Sequence, residues 1–193
     1  MSLFNQLKNQ AAGALGQTVK NAVTGSNRSV AVVFTSIPTS LQEFAALPQA
    51  AMQNPFDTAA MVVLAFGIYK VDRNLSLSML NHLKGPQPLS NQEVSFIADR
   101  MAQNNKVEYI AESYFLGATP ANNYTPTVPY TVQVNENPYS YEQSGYAQVF
   151  ITCGGADSPR PVKMRQAKDG KWYLWEQFLL SDIRPPEAAD PWA

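Results

Sequence analysis

The spacing of hydrophobic residues predicts an amphipathic helix near the N-terminus. Between residues 2 and 23, apolar side chains recur every three or four positions, and asparagine and glutamine occupy the opposite face. Gly13 and Gly16 weaken this helix, each by up to about 1 kcal/mol relative to alanine. A Thr-Gly-Ser-Asn sequence follows, which is typical of a helix end and a short linker. Residues 1–28 are therefore predicted to form a helix and linker outside the main domain.

Two apolar segments predict helices in the first half of the main domain. Residues 57–69 are apolar nearly all round, which indicates a central buried helix. Residues 75–83 predict a second helix, which the sequence Lys84-Gly85-Pro86 ends.

Two helix starts have the spacing of a capping box, in which a serine and a glutamate three positions later satisfy each other's free backbone N–H groups. The pairs are Ser40 with Glu43 and Ser90 with Glu93. Each pair therefore predicts a helix that begins directly after the serine.

Strands are predicted mainly in the second half of the chain. Residues 30–34 form a short β-branched run, which predicts a buried strand. Residues 130–134 alternate between polar and apolar, and residues 147–153 are apolar. Residues 162–166 and 171–175 flank a Lys-Asp-Gly turn, which predicts a β-hairpin.

The order of strand, helices and antiparallel strands predicts an α+β fold, because helices and strands that are segregated along the chain disfavour a doubly wound parallel sheet. We expect one domain at residues 29–183, with a helical layer packed on a curved antiparallel sheet. A proline-rich tail at residues 184–193 follows it. The Gly-Lys-Trp-Tyr-Leu hairpin after a helical first half resembles the last hairpin of cone-shaped NTF2-like folds.

Composition excludes several classes of protein. The 193 residues suffice for one domain of ordinary size, and the single cysteine rules out an internal disulfide. A formal net charge of -1 offers nucleic acid no attraction. The longest apolar stretch, at residues 59–69, is about half as long as the ~20 residues of a membrane-spanning helix, and the N-terminus lacks the apolar core of a signal peptide. We therefore expect a cytoplasmic protein without a membrane span or a nucleic-acid partner.

The motifs of catalytic and metal sites are weak in this sequence. Cys153, His82 and Asp157 have the residue types of a cysteine-hydrolase triad, but Cys153 ends a predicted buried strand, where a thiol is unreactive. With one histidine and one cysteine, a metal site would rest on carboxylates and carbonyls alone. No loop has the spacing of a phosphate-binding or dinucleotide-binding motif. We therefore assign no catalytic residue, no metal ligand and no cofactor.

Two loops carry the residues that we expect to bind a ligand or partner. Residues 117–130 contain three prolines together with Asn123 and Tyr124, and tyrosine and asparagine make adaptable binding surfaces. A glycine-rich turn carries Asp157 and Arg160, where backbone N–H groups and the guanidinium would bind an anion. The alternative is a tight turn in which these two residues pair with each other. We predict ring stacking for Tyr124, amide hydrogen bonding for Asn123 and anion pairing for Asp157 and Arg160.

Several short motifs between residues 34 and 192 carry a resemblance to a known family. They are Asn54-Pro55-Phe56, Leu83-Lys84-Gly85-Pro86, Gly117-Ala118-Thr119-Pro120, Asn123-Tyr124-Thr125-Pro126, Gly155-Ala156-Asp157-Ser158-Pro159-Arg160 and Lys171-Trp172-Tyr173. In these motifs the chain resembles an uncharacterised bacterial family, a domain of unknown function found in gut Firmicutes. The resemblance implies a single bacterial domain without an assigned activity, and it supplies no catalytic residues.

Three functions remain open from the sequence. The first is a non-enzymatic bacterial domain that binds a protein partner or a small ligand through the two loops. The second is an enzyme with a pocket in the concave face of an NTF2-like sheet, which would hold a Tyr or Asp with a strongly shifted pKa. The third is an assembly protein that forms a homo-oligomer through its N-terminal helix. The weakness of the catalytic motifs favours binding over chemistry.

Overall fold

The structure of the protein, a computed structural model, describes residues 26–189. Within these residues, five strands form one antiparallel sheet in which consecutive strands are neighbours, so that β1 and β5 are the outer strands. The strands are β1 (Ser29–Phe34), β2 (Tyr130–Asn135), β3 (Tyr146–Ile151), β4 (Arg160–Gln166) and β5 (Trp172–Gln177). The N-terminal helix that we predict at residues 2–23 lies outside the described residues.

Four α-helices in the described part of the chain are inserted between β1 and β2. They are α1 (Leu41–Ala46), α2 (Pro55–Gly67), α3 (Arg73–Lys84) and α4 (Asn91–Ala102). Helices on one side of an antiparallel sheet confirm the predicted α+β class.

The central buried helix predicted at residues 57–69 is α2. Each residue from Pro55 to Phe66 is buried except Asp57, and the helix contacts all five strands. Pro55 occupies the first helical position, and the Asn54 side chain accepts a hydrogen bond from the backbone N–H of Asp57 at 2.9 Å. Each large aliphatic side chain buried here contributes roughly 1.5–3 kcal/mol, so α2 and the inner face of the sheet form the main core.

Strand β1 differs from the buried strand that we predict at residues 30–34. Val32 and Phe34 are buried against α2, whereas the Val33 side chain is 44% exposed. β1 is an outer strand with one face open, and a run of β-branched residues does not distinguish this position from a fully buried one.

The two predicted capping boxes have different outcomes. At the start of α4, Ser90 Oγ accepts from the Glu93 N–H at 3.2 Å, and Glu93 Oε2 accepts from the Ser90 N–H at 2.8 Å, as predicted. At the start of α1, Ser40 Oγ accepts from the Glu43 N–H at 3.1 Å. The Glu43 carboxylate, however, accepts from the N–H of Thr39 at 2.7 Å, so only half of that box forms as predicted.

Candidate functional site

Tyr124 is an internal anchor of the proline-rich loop, residues 117–130. Its side chain is 1% exposed, and its ring stacks on the ring of Tyr109 with the centroids 5.4 Å apart. Its hydroxyl donates to the backbone carbonyl of Arg184 at 2.5 Å. Burial raises the pKa of Tyr124 to about 12, helped by the neighbouring Cys153 and Tyr109. The ring that we expect to stack on a ligand is therefore already in use inside the fold.

Asn123 lies on the surface beside this anchor. It ends a short 3₁₀ turn (Pro120–Asn122) with a positive φ of 53°, a backbone conformation that asparagine adopts more readily than most residues. The side chain that ties the loop together is that of the preceding residue, since Asn122 Nδ2 donates to the carbonyl of Gly117 at 2.7 Å. Asn123 remains exposed and available for a partner.

Asp157 and Arg160 contact different residues, so the pair that we consider as an alternative does not form. Asp157 forms an exposed ion pair with Arg184, the residue whose carbonyl accepts from Tyr124. Arg160 Nη2 donates to the backbone carbonyl of Asp182 at 2.7 Å. The structure thus brings Tyr124 and Asp157 together at Arg184, and Arg160 binds the same segment two residues earlier, at Asp182.

The three residues considered as a hydrolase triad have separate contacts. Cys153 is buried with its Sγ 3.3 Å from Ser113 Oγ. The His82 ring packs edge-on against Phe44 with the centroids 6.1 Å apart, and Asp157 pairs with Arg184. Among residues 26–189, no group of three His, Cys, Asp or Glu side chains could hold a metal ion. These residues therefore form no catalytic constellation in the part of the chain that is described.

The inner face of the sheet, where an NTF2-like enzyme would have its pocket, is filled by apolar side chains. The fully buried ones include Met61 and Leu64 of α2 and Val149 and Met164 of the sheet. Burial raises the pKa of Tyr114 well above its ordinary value, and its hydroxyl donates to the Leu179 carbonyl at 2.6 Å. This tyrosine is thus a neutral hydrogen-bond donor in the core, bound to the backbone.

An open groove of about 850 Å³ lies between α4, β5 and the segment that follows β5. Its floor is apolar, with the buried side chains of Leu80, Ile97, Leu174 and Leu180. Its rim carries two aromatic side chains that are partly exposed, Phe96 at 47% and Phe178 at 43%. Trp175 also lines the groove, but its ring packs against Tyr146, with the centroids 5.7 Å apart, and against Arg165. Exposed aromatic side chains around an apolar floor are typical of binding sites.

An ion pair crosses one end of the groove. Lys84, at the end of α3, is 9% exposed, and its Nζ donates to Glu93 Oε1 at 2.6 Å and reaches the Trp175 carbonyl at 3.5 Å. Burial alone would raise the pKa of Glu93, but the hydrogen bonds from Lys84 and Ser90 lower it overall. This pair fixes α4 against the end of α3, and the charged atoms of both residues are already hydrogen-bonded within the fold.

The opposite end of the groove is positively charged. The Nζ of the buried Lys106 binds the exposed carboxylate of Asp182, and Arg160 binds the backbone carbonyl of the same residue. Arg100 of α4 lines the groove near this point, with its guanidinium carbon 5.2 Å from the centre of the Phe96 ring. The hydrogen bond from Lys106 lowers the pKa of Asp182, and so do the charges of Lys106, Arg100 and Arg160.

Sequence reasoning did not find this groove. Its lining residues come mainly from residues 80–100 and 174–182, which pack together only in the folded chain. One signal was present in α4, whose apolar stripe of Val94, Ile97 and Met101 leaves Phe96 among polar residues. A large aromatic side chain on the polar side of a helix indicates a second contact surface.

A model of one protein family, described as "Domain of unknown function (DUF6935)", matches residues 36–187. No curated protein and no solved structure matches the chain. The match confirms the expected domain of unknown function, over nearly the range of the short motifs that carried the resemblance. In residues 26–189, no helix has the length and apolar character that crossing a membrane requires.

Proposed function

The chain belongs to the DUF6935 family, and from the geometry of its groove we propose that it is a non-enzymatic binding domain for an extended peptide segment of a partner protein. In this proposal the segment lies between α4 and β5 and carries bulky apolar side chains. We further propose that the domain is bacterial, as the resemblance implies, and that it acts in the cytoplasm, as the sequence composition predicts.

The single observation that supports this proposal best is the shape and lining of the groove. A helix forms one wall and an outer strand forms the other, with Phe96 and Phe178 exposed along the rim. Extended peptides bind other domains between a helix and the edge of a sheet, where backbone hydrogen bonds supply affinity and side-chain pockets supply specificity. Aromatic side chains, phenylalanine included, are enriched at protein–protein interfaces.

The outer edge of β5 offers backbone groups to such a peptide. The Phe178 N–H donates to the Pro161 carbonyl at 3.1 Å, so the polar backbone groups of residue 178 face β4. Because successive residues of a strand direct these groups to opposite edges, those of Gln177 face the groove. Gln177 also lines the groove, which supports pairing of these groups with a bound segment.

The first half of the same edge is closed. The Trp172 N–H donates to the Met52 carbonyl at 2.9 Å, and the Trp172 carbonyl accepts from Thr58 Oγ1 at 2.8 Å. A bulge in the pairing of β4 with β5 follows, and Lys84 covers the Trp175 carbonyl. We therefore place the backbone pairing of the segment at Gln177, beside the apolar floor.

Two observations favour the groove over the two loops predicted from the sequence. Tyr124 is buried, and Asp157 is paired with Arg184. An assembly role for the N-terminal helix stays a prediction, since that helix lies outside residues 26–189.

Selection from a random peptide library displayed on phage tests the proposal. The library is selected on the wild-type chain and scored against a variant with Phe96→Ser and Phe178→Ser, both at partly exposed positions of the rim. Val33→Ser, a similarly exposed apolar position on β1, is the matched control. Thermal unfolding checks that all variants fold.

We expect peptides with bulky apolar residues that bind the wild type and the Val33→Ser variant but lose at least about tenfold in affinity on the double variant, the effect of two rim residues worth about 1 kcal/mol or more each. Peptides that bind all three proteins equally, or a selection that yields no binder dependent on the groove, would overturn the proposal.

A further inference from the structure

We infer that the positively charged end of the groove, at Arg100, binds a carboxylate of the partner segment. The inference rests on the proposed function and specifies its ligand: an apolar segment with an acidic group beside its bulky side chains. Arg100, Ser181 and Asp182 line the same groove as Phe96 and Phe178, so one ligand can contact both the aromatic rim and the guanidinium.

Most N–H donors of the Arg100 guanidinium are not bound within residues 26–189. Its Nη1 donates to Gln103 Oε1 at a long 3.4 Å, and within residues 26–189 it forms no ion pair. A guanidinium carries five N–H donors in one plane. When its face lies over an aromatic ring, as over Phe96, the donors at its edge remain free to bind a carboxylate.

The charges around Asp182 leave this end of the groove positive. Its carboxylate is bound by Lys106, whose side chain is 3% exposed, so this acid is already neutralised by one cation. Arg160 binds the backbone of Asp182, and Arg100 adds its charge from the groove side. A second carboxylate, that of Asp99, lies nearby, since Gln103 accepts from Arg100 and donates to Asp99. Three cations thus stand against two carboxylates, and one more carboxylate would balance the charge.

A carboxylate matches this end of the groove better than a neutral group does. Arginine and a carboxylate form two parallel hydrogen bonds in a fixed planar geometry, which supplies both orientation and energy. Because Phe96 holds the guanidinium of Arg100, less side-chain entropy is lost when these bonds form. The ring of an aromatic ligand would meanwhile contact Phe96 or Phe178.

Two small probes of nearly equal shape test the inference on the full chain. They are 3-phenylpropionate and its uncharged amide, 3-phenylpropanamide, each titrated while the backbone amide signals are followed by NMR. We expect both probes to shift signals of residues 96–100 and 176–182. We expect the carboxylate to bind about tenfold more tightly than the amide, since a hydrogen bond to a charged group is worth about 1.5 kcal/mol or more.

Arg100→Gln should bring the two affinities to within about twofold of each other, because the charge-assisted bonds are lost. Arg73→Gln is the matched control: Arg73 also lies over an aromatic ring, that of Tyr69 at 5.9 Å, but does not line the groove. That variant should keep the tenfold preference.

Equal affinity of the two probes for the wild type, or an unchanged preference in Arg100→Gln, would overturn the carboxylate site while leaving the binding of apolar groups in the groove intact. Signals that shift only outside the groove with both probes would contradict the proposed function as well.

Discussion

The hydroxyl of Tyr124 donates to the backbone carbonyl of Arg184, 60 positions later in the chain, at 2.5 Å. This contact ties the proline-rich loop to the segment that follows the sheet. The N–H of Arg184 in turn donates to the Gly155 carbonyl at 2.9 Å. The glycine-rich turn at residues 155–160 is therefore tied to the same segment. The two loops singled out by their composition thus hold each other in place, and this predicts structural effects for substitutions in them.

Tyr124→Phe should lower the free energy of unfolding by about 0.5–1.5 kcal/mol, the usual net contribution of one hydrogen bond, with the ring stack on Tyr109 kept. Tyr139→Phe, at a side chain that is 72% exposed, is the control and should change stability by less than about 0.5 kcal/mol. Urea unfolding measures both variants. Equal stability of the two would mean that the Tyr124 hydroxyl does not anchor the loop.

Gly154→Ala should destabilise the fold by about 1–3 kcal/mol or more, because the added methyl group would overlap the backbone carbonyl of Ala118. Backbone atoms cannot turn aside as a flexible side chain can. Gly67→Ala, at the end of α2, is the matched control: its methyl group would meet only Ala111 Cβ at 4.0 Å, and alanine favours a helix by up to about 1 kcal/mol. Thermal unfolding should therefore show opposite shifts of Tm. A lowered Tm in both variants would contradict this packing.

His82 predicts a pH dependence of stability. Burial lowers the pKa of His82, and the charge of Lys171 lowers it further, so the unfolded chain takes up this proton more readily than the folded one. The stabilisation is fully present above the unfolded pKa of about 6.5 and is lost as the pH falls through the folded pKa. The free energy of unfolding should thus fall between about pH 7.5 and about pH 5.5, where the single histidine titrates and the carboxyl groups hardly do.

His82→Gln should flatten this dependence, because the titrating group is removed. Unfolding in urea at a series of pH values gives the measurement. The same slope in the wild type and in His82→Gln would show that another group causes it.

The main elements of the fold could be predicted because each of their sequence patterns is compatible with only one structural environment. A segment that is apolar all round, as in α2, is stable only when it is covered on every side. The capping box at Ser90 is a local signal that needs no tertiary contact. The position of β1 at the edge of the sheet could not be predicted, since strand order depends on pairing between residues about a hundred positions apart.

The binding surface was harder to predict than the fold. Tyr124 and Asn123 are adjacent in a loop rich in tyrosine and asparagine, yet one is buried and the other exposed. Whether a tyrosine anchors a loop or faces solvent depends on a partner such as Arg184, which the loop sequence does not contain. The groove itself is formed by two distant segments, and Phe96 was the one residue whose position outside the apolar stripe of α4 indicated it.

Hydrogen exchange at the outer edge of β5 tests the central claim most directly. With a peptide selected on the wild-type chain, we predict that the backbone amide of Gln177 becomes protected, because a bound segment pairs with this edge. The amide of Trp172, already bonded to the Met52 carbonyl, should exchange at an unchanged rate. Protection confined to residues 117–130 and 155–160, with residues 176–178 unaffected, would contradict the assignment of the groove as the binding site.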